Sequence, residues 1–159
     1  MNRCVYPGSF DPITTGHLDI IERAAAMFSD VTVAVLVNKS KKPAFSAAQR
    51  MDFISRSTAH LPGVKVDSFS GLLVDYMKQQ NANMIIRGLR AISDFEYEYQ
   101  MAAMNAKLAH SVETIFLMTD TEHSYLSSSM VRELASYGGD IAGLVPDEII
   151  ADVQKHYGR

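Results

Sequence analysis

Val31-Thr32-Val33-Ala34-Val35-Leu36-Val37 is apolar at nearly every position, the composition of a strand covered on both faces in a parallel sheet. Such a strand demands helices on two sides. Outward from it, shorter runs of strand character fall at residues 3–6, 64–69, 84–86 and 114–118. Segments of helical character fall between and beyond them, at 16–28, 47–59, 72–80, 92–108, 129–137 and 146–156, the last with Pro146 in its first turn. The order βαβαβαβαβα predicts an α/β chain with a Rossmann-like, doubly wound, five-stranded parallel sheet. Right-handed crossovers then place the ligand crevice at the carboxyl ends of the strands.

The 159 residues fit one domain, 1–159, with 47% hydrophobic and 21% charged residues, an ordinary globular balance. A formal net charge of -3 argues against a general nucleic-acid binder, so any anion site has to be built locally. The one cysteine, Cys4, can form no intramolecular disulfide, and neither a zinc cluster nor a membrane-length apolar stretch stands out. A cytoplasmic protein with no membrane partner is expected.

The segment Tyr6-Pro7-Gly8-Ser9-Phe10-Asp11-Pro12-Ile13-Thr14-Thr15-Gly16-His17 joins the first strand to the first helix. Its chemistry suits a polyphosphate. Gly8 and Gly16 let backbone approach a ligand, Ser9 offers a hydroxyl, and the helix N-terminus offers unpaired N–H groups. His17 stands at that N-terminus, where the helix dipole disfavours its protonation and a bound phosphate favours it, leaving its charge open. A tight turn with a capping histidine is the plain structural alternative. Cations are placed next to strands two and four, Lys41 and Lys42 after one, Arg87 and Arg90 after the other. The run from Ser124 to Ser129 precedes another helix, where serines cap or bind anions. His60, His110 and His156 fall near helix ends and suit structural roles. No histidine pair has metal-ligand spacing.

Thr14-Thr15-Gly16-His17 resembles the T-x-G-H element of the adenylyltransferase and cytidylyltransferase superfamily. Three further segments narrow the resemblance to the phosphopantetheine adenylyltransferases: Ser40-Lys41-Lys42-Pro43, then Ile86-Arg87-Gly88-Leu89-Arg90 with Asp94-Phe95-Glu96-Tyr97-Glu98, and Ser127-Ser128-Ser129-Met130-Val131-Arg132. The resemblance implies transfer of the adenylyl group of ATP to 4′-phosphopantetheine, with Mg2+ accompanying ATP. It implies His17 as the catalytic residue and an ATP site of Ser9, Phe10, His17, Gly88, Leu89, Arg90, Glu98, His123, Ser124, Tyr125, Leu126, Ser127, Ser128 and Ser129. It places 4′-phosphopantetheine on Ser9, Lys41, Leu73 and Arg87, names no protein ligand for the metal, and implies a homohexamer built from two trimers. His123 departs from the family, where an aromatic residue is common. A transferase for nicotinate mononucleotide or a phosphorylated alcohol, a nucleotide-binding regulator and a tRNA synthetase fragment are the competing readings.

Self-association also follows from residues alone. Phe95, Tyr97, Tyr99, Met101, Ala102, Met104 and Leu108 spread apolar surface round more than one face of a single helix, more than one domain face can bury.

Overall fold

In the computed structural model, which describes residues 3–158, the five strands form one sheet in the order β3-β2-β1-β4-β5, every neighbouring pair parallel. The strands are β1 (Arg3–Gly8), β2 (Asp30–Leu36), β3 (Val64–Phe69), β4 (Met84–Leu89) and β5 (Glu113–Met118). The helices are α1 (Thr15–Met27), α2 (Ala47–Ser57), α3 (Leu73–Gln79), α4 (Ile92–Leu108), α5 (Ser128–Ser136) and α6 (Ile150–His156). The expected α/β doubly wound fold is present.

Alternation along the strands sends side chains into two separate cores. Cys4, Tyr6, Val31, Val33, Val35 and Ile86 meet Ile20 and Ile21 of α1, Phe53 and Ile54 of α2, Val131 of α5 and Val153 of α6. Val5, Ala34 and Ile85 face the other way, onto Val74 and Met77 of α3. The nearly continuous apolar run of β2 is thus explained by burial on both faces. Helix α4 runs against β4, β5 and α3, yet none of its residues is buried.

Two strands run further than their apolar runs. Pro7 and Gly8 continue β1 in register with Ala34 and Val35, and Arg87, Gly88 and Leu89 continue β4 in register with Phe116, Leu117 and Met118. Arg87, Gly88 and Leu89 therefore belong to the sheet, not to the loop after it. The C-terminal helical segment is also divided, because Pro146 caps a 3-10 turn, Asp147–Ile149, that precedes α6.

The sheet opens where function is expected. Strand β1 pairs with β4 only at Cys4–Met84 and Val5–Ile85, whereas it pairs with β2 along its whole length. The chain winds to one side through β2 and β3 and then crosses to β4, so this gap is the topological switch point.

Candidate active site

A cleft of about 280 Å³ lies at that gap, between the carboxyl ends of β1 and β4. Its walls carry Ser9, Phe10, His17, Arg87, Gly88, Arg90, Glu98, His123, Leu126, Ser127 and Ser128 from the sequence-predicted set, with Tyr6, Thr14, Asp94 and Thr119 added. Two helix N-termini meet there. Thr14 caps α1, and Ser127 caps α5 by accepting the Met130 N–H at 3.1 Å. Their partial positive charges, with Arg87 and Arg90, build an anion site inside an acidic chain.

His17 is the third residue of α1 and completes a reciprocal capping box. Its N–H donates to Thr14 Oγ1 at 3.2 Å, and the Thr14 N–H donates to His17 Nδ1 at 3.0 Å. Because Nδ1 accepts, the neutral ring carries its proton on Nε2. Burial first, then Arg90 and Arg87, pull the His17 pKa down to about 4. In the substrate-free protein His17 is therefore a neutral hydrogen-bond donor at pH 7.

The same shift couples pH to stability. The folded pKa lies below the ordinary 6.5, so as pH falls the unfolded chain takes the proton first and stability is lost between about pH 6.5 and 4. Chemical unfolding at fixed protein concentration is expected to show a fall from pH 7 to pH 4.5 that is about 2 kcal/mol smaller in His17→Ala than in the wild type. Equal falls would mean that His17 protonates freely in the folded protein.

The cations at the cleft are paired. Arg87 donates to both carboxylate oxygens of Glu98, Nε to Oε2 at 2.7 Å and Nη2 to Oε1 at 2.6 Å, and its Nη1 donates to the Pro7 carbonyl at 2.7 Å. Burial works against the Arg87 charge, but the Glu98 pair outweighs it and holds the guanidinium above its ordinary pKa. Arg90 donates to Asp94 at 3.3 Å and to the Leu126 carbonyl at 2.8 Å, joining the end of β4 to the loop before α5. Burial lifts the Tyr6 hydroxyl to about 12, so it stays protonated.

Arg87 and Glu98 also line a second cavity, of about 300 Å³, between the sheet, α3 and α4. Its other walls are mostly apolar and include Leu36, Leu72, Leu73, Met101, Met104 and Leu108. A polar cleft and an apolar cavity therefore meet at one ion pair.

Not every expected residue reaches these walls. Lys41 lies in the exposed loop after β2, with its N–H bonded to the Asn38 carbonyl at 3.2 Å, and lines neither cavity. That loop is fixed at its far end by Asp11, whose carboxylate accepts the Ala44 and Phe45 N–H groups at 2.9 Å each. Leu89 is buried in the sheet, and Ser124, Tyr125 and Ser129 stand outside the first cleft. Ser124 instead donates to the Thr121 carbonyl, and Ser129 accepts from Arg132. The glycines also serve packing. A Cβ on Gly8 would lie 3.0 Å from the Phe10 ring, and one on Gly16 would lie 3.4 Å from His123 Cβ. His123 bonds through Nδ1 to Asp120 at 2.6 Å, which fixes its ring beside Gly16.

Sequence reasoning did not single out Asp11, Arg50 or, as a site group, Arg132. Arg132 donates to the Asp11 carbonyl at 2.7 Å, and Arg50 donates to the Ser9 carbonyl at 2.7 Å. Only the placement of Asp11 in the first loop and of Arg132 after the serines gave any signal.

Residues 5–134 match the cytidylyltransferase-like family. A phosphopantetheine adenylyltransferase of Clostridium tetani is 59% identical over 98% of this chain and 97% of its own. One from Heliobacterium modesticaldum is 52% identical over 99% of this chain and 94% of its own. In shape, the nicotinic acid mononucleotide adenylyltransferase of Plasmodium falciparum, solved with NaAD, overlays with a TM-score of 0.71 at 16% identity, covering 98% of this chain and 95% of that one. That likeness bears on the fold alone.

Proposed function

The chain belongs to the phosphopantetheine adenylyltransferases within the cytidylyltransferase-like family, and we propose that the junction of its two cavities is where adenylyl transfer takes place. It transfers the adenylyl group of ATP to 4′-phosphopantetheine, giving dephospho-coenzyme A and pyrophosphate. The observation that carries the site assignment is the Arg87–Glu98 pair shared by a polar cleft and an apolar cavity. ATP suits the first, with its helix N-termini and Arg90. The pantetheine arm suits the second, beside Leu73, and its phosphate suits Arg87.

The reaction is an in-line displacement. An oxygen of the acceptor phosphate forms a bond to the α-phosphorus of ATP, and the bond from that phosphorus to the oxygen bridging to the β-phosphate breaks. A phosphomonoester with a second pKa near ~6 is already anionic at pH 7 and needs no general base. What remains is positioning and stabilisation of charge on the α-phosphate oxygens. His17 Nε2–H is the donor suited to that work, aided by α1 and α5 N–H groups.

Among the described residues, no group of three or more His, Cys, Asp or Glu could hold a metal, and the cleft carboxylates of Asp94 and Glu98 are engaged by Arg90 and Arg87. This donor set fits a magnesium ion held by ATP phosphates and water, where it offsets phosphate charge. EDTA is therefore expected to abolish turnover without moving the thermal midpoint of the substrate-free protein. A large shift of that midpoint would point to a metal bound by the protein.

No described helix is long and apolar enough to cross a membrane, and the reading places the enzyme in the cytoplasm. It further takes the protein to be a homohexamer of two trimers. Phe95, Tyr97, Tyr99, Met101, Met104 and Leu108 of α4 are exposed in the single chain, with Ile92 at 92%, more apolar surface than a monomer commonly leaves to water. Sedimentation is expected to give six copies at micromolar concentration, and a monomer would remove the assembly. The acceptor is tested by pyrophosphate release from ATP with 4′-phosphopantetheine, nicotinate mononucleotide and glycerol 3-phosphate side by side. Faster release with either of the last two would overturn the assignment.

A further inference from the structure

The β1–α1 loop lines the first cleft with Ser9, Phe10 and Thr14, and its carbonyl oxygens are engaged by side chains from other elements. Ser9 O accepts from Arg50 Nη1 at 2.7 Å, Asp11 O from Arg132 Nη1 at 2.7 Å, and Pro12 O from Ser128 Oγ at 2.8 Å. Arg50 is the unexpected member. It sits on α2 at 3% exposure, contributes to neither cavity wall, and among the described residues hydrogen-bonds two backbone carbonyls, Ser9 O and, at 3.3 Å, Leu36 O, with the buried Asp11 carboxylate as the opposite charge that supports it. Its Nε has no hydrogen-bond partner among the described residues. A cation so placed costs stability, and the catalytic scheme above makes no use of it.

We infer that Arg50 is a positioning residue for adenylyl transfer, holding the Ser9 carbonyl so that the Ser9–Phe10 turn keeps the Phe10 ring against His17. Phe10 occupies the left-handed region at φ 47°, which a non-glycine residue holds only when its surroundings enforce it. Its ring is 2% exposed and packs edge-on to His17, with centroids 5.0 Å apart, and to Tyr6 at 5.2 Å. The path from cation to catalytic imidazole is one hydrogen bond, one strained turn and one ring contact. Without Arg50 the Ser9 carbonyl loses the partner that holds it, and it is free to turn toward the cleft and repel the triphosphate.

The inference rests on the assignment of His17, and a double-mutant cycle separates the two. Arg50→Lys keeps a buried cation but not the guanidinium reach, and Arg50→Met removes the charge. Both are expected to lower kcat, Arg50→Lys by roughly 10-fold and Arg50→Met by more, while KM for each substrate stays within about threefold. In a His17→Ala background, Arg50→Lys is expected to cost less than about twofold further, since its effect travels through the imidazole. The His17 ring nitrogen resonances are expected to shift in Arg50→Lys as well. Equal fold-losses in both backgrounds, unchanged kcat, or failure of both variants to fold would assign Arg50 to stability and overturn the inference. Near-normal turnover of His17→Ala alone would instead remove the role of His17.

Discussion

His17→Ala is expected to lower kcat by about 10²–10³ while the dissociation constant of ATP changes less than roughly threefold. The contact from Nε2–H gains strength as charge moves onto the α-phosphate oxygens, so its loss falls on the transition state and spares ground-state binding. The capping box complicates the measurement, because the substitution also removes the acceptor of the Thr14 N–H. That loss costs about 1 kcal/mol of stability. A folded enzyme short by that amount still fills its active site at 25 °C, so a hundredfold fall in kcat cannot come from the cap. Thermal midpoint, ATP affinity and kcat measured on one preparation keep the two effects apart. A lowered midpoint with near-normal kcat would reduce His17 to a helix cap and revive the reading of the chain as a nucleotide-binding regulator.

The parallel sheet was legible because burial on two faces writes itself into β2 as a run apolar at nearly every position. Strand ends were not. Pro7-Gly8 carries the usual marks of a turn and Arg87 the mark of a surface, yet both continue strands, because their neighbours β2 and β5 supply partners that a local reading cannot see. The site was legible in part for the same reason. His17 stands three residues after Thr14, the spacing of a capping box, but the familiar pattern has Glu or Gln at that position, so the tautomer it fixes stayed hidden. Arg87 and Glu98 are eleven residues apart on a strand and a helix, and nothing periodic links them. Resemblance gave Glu98 to the nucleotide, and the fold adds Arg87 as its partner at the wall of the first cleft. Arg50 looked like any helix arginine, since only packing of α2 against β2 and the first loop buries it.

Arg87→Ala is expected to raise KM for 4′-phosphopantetheine by roughly 10²-fold, with ATP affinity far less affected. Two losses combine. The acceptor phosphate loses a charge-assisted contact, and Glu98, whose side chain is 12% exposed, loses the fork that neutralises it. A carboxylate left without its partner at the junction of the cavities repels the incoming phosphate dianion. The second loss can be measured by itself, since Glu98→Gln in the Arg87→Ala background removes the unpaired charge and is expected to restore part of the affinity. Pantetheine without its phosphate should lose little in either variant. Lys41→Ala is expected to weaken the same substrate more than ATP but less than Arg87→Ala does, because Lys41 stands outside both cavities. Equal weakening of ATP and 4′-phosphopantetheine in binding titrations of Arg87→Ala would move this arginine to the nucleotide's end of the cleft. A double variant no better than Arg87→Ala would show that the unpaired carboxylate is harmless and that the lost contact carries the whole effect.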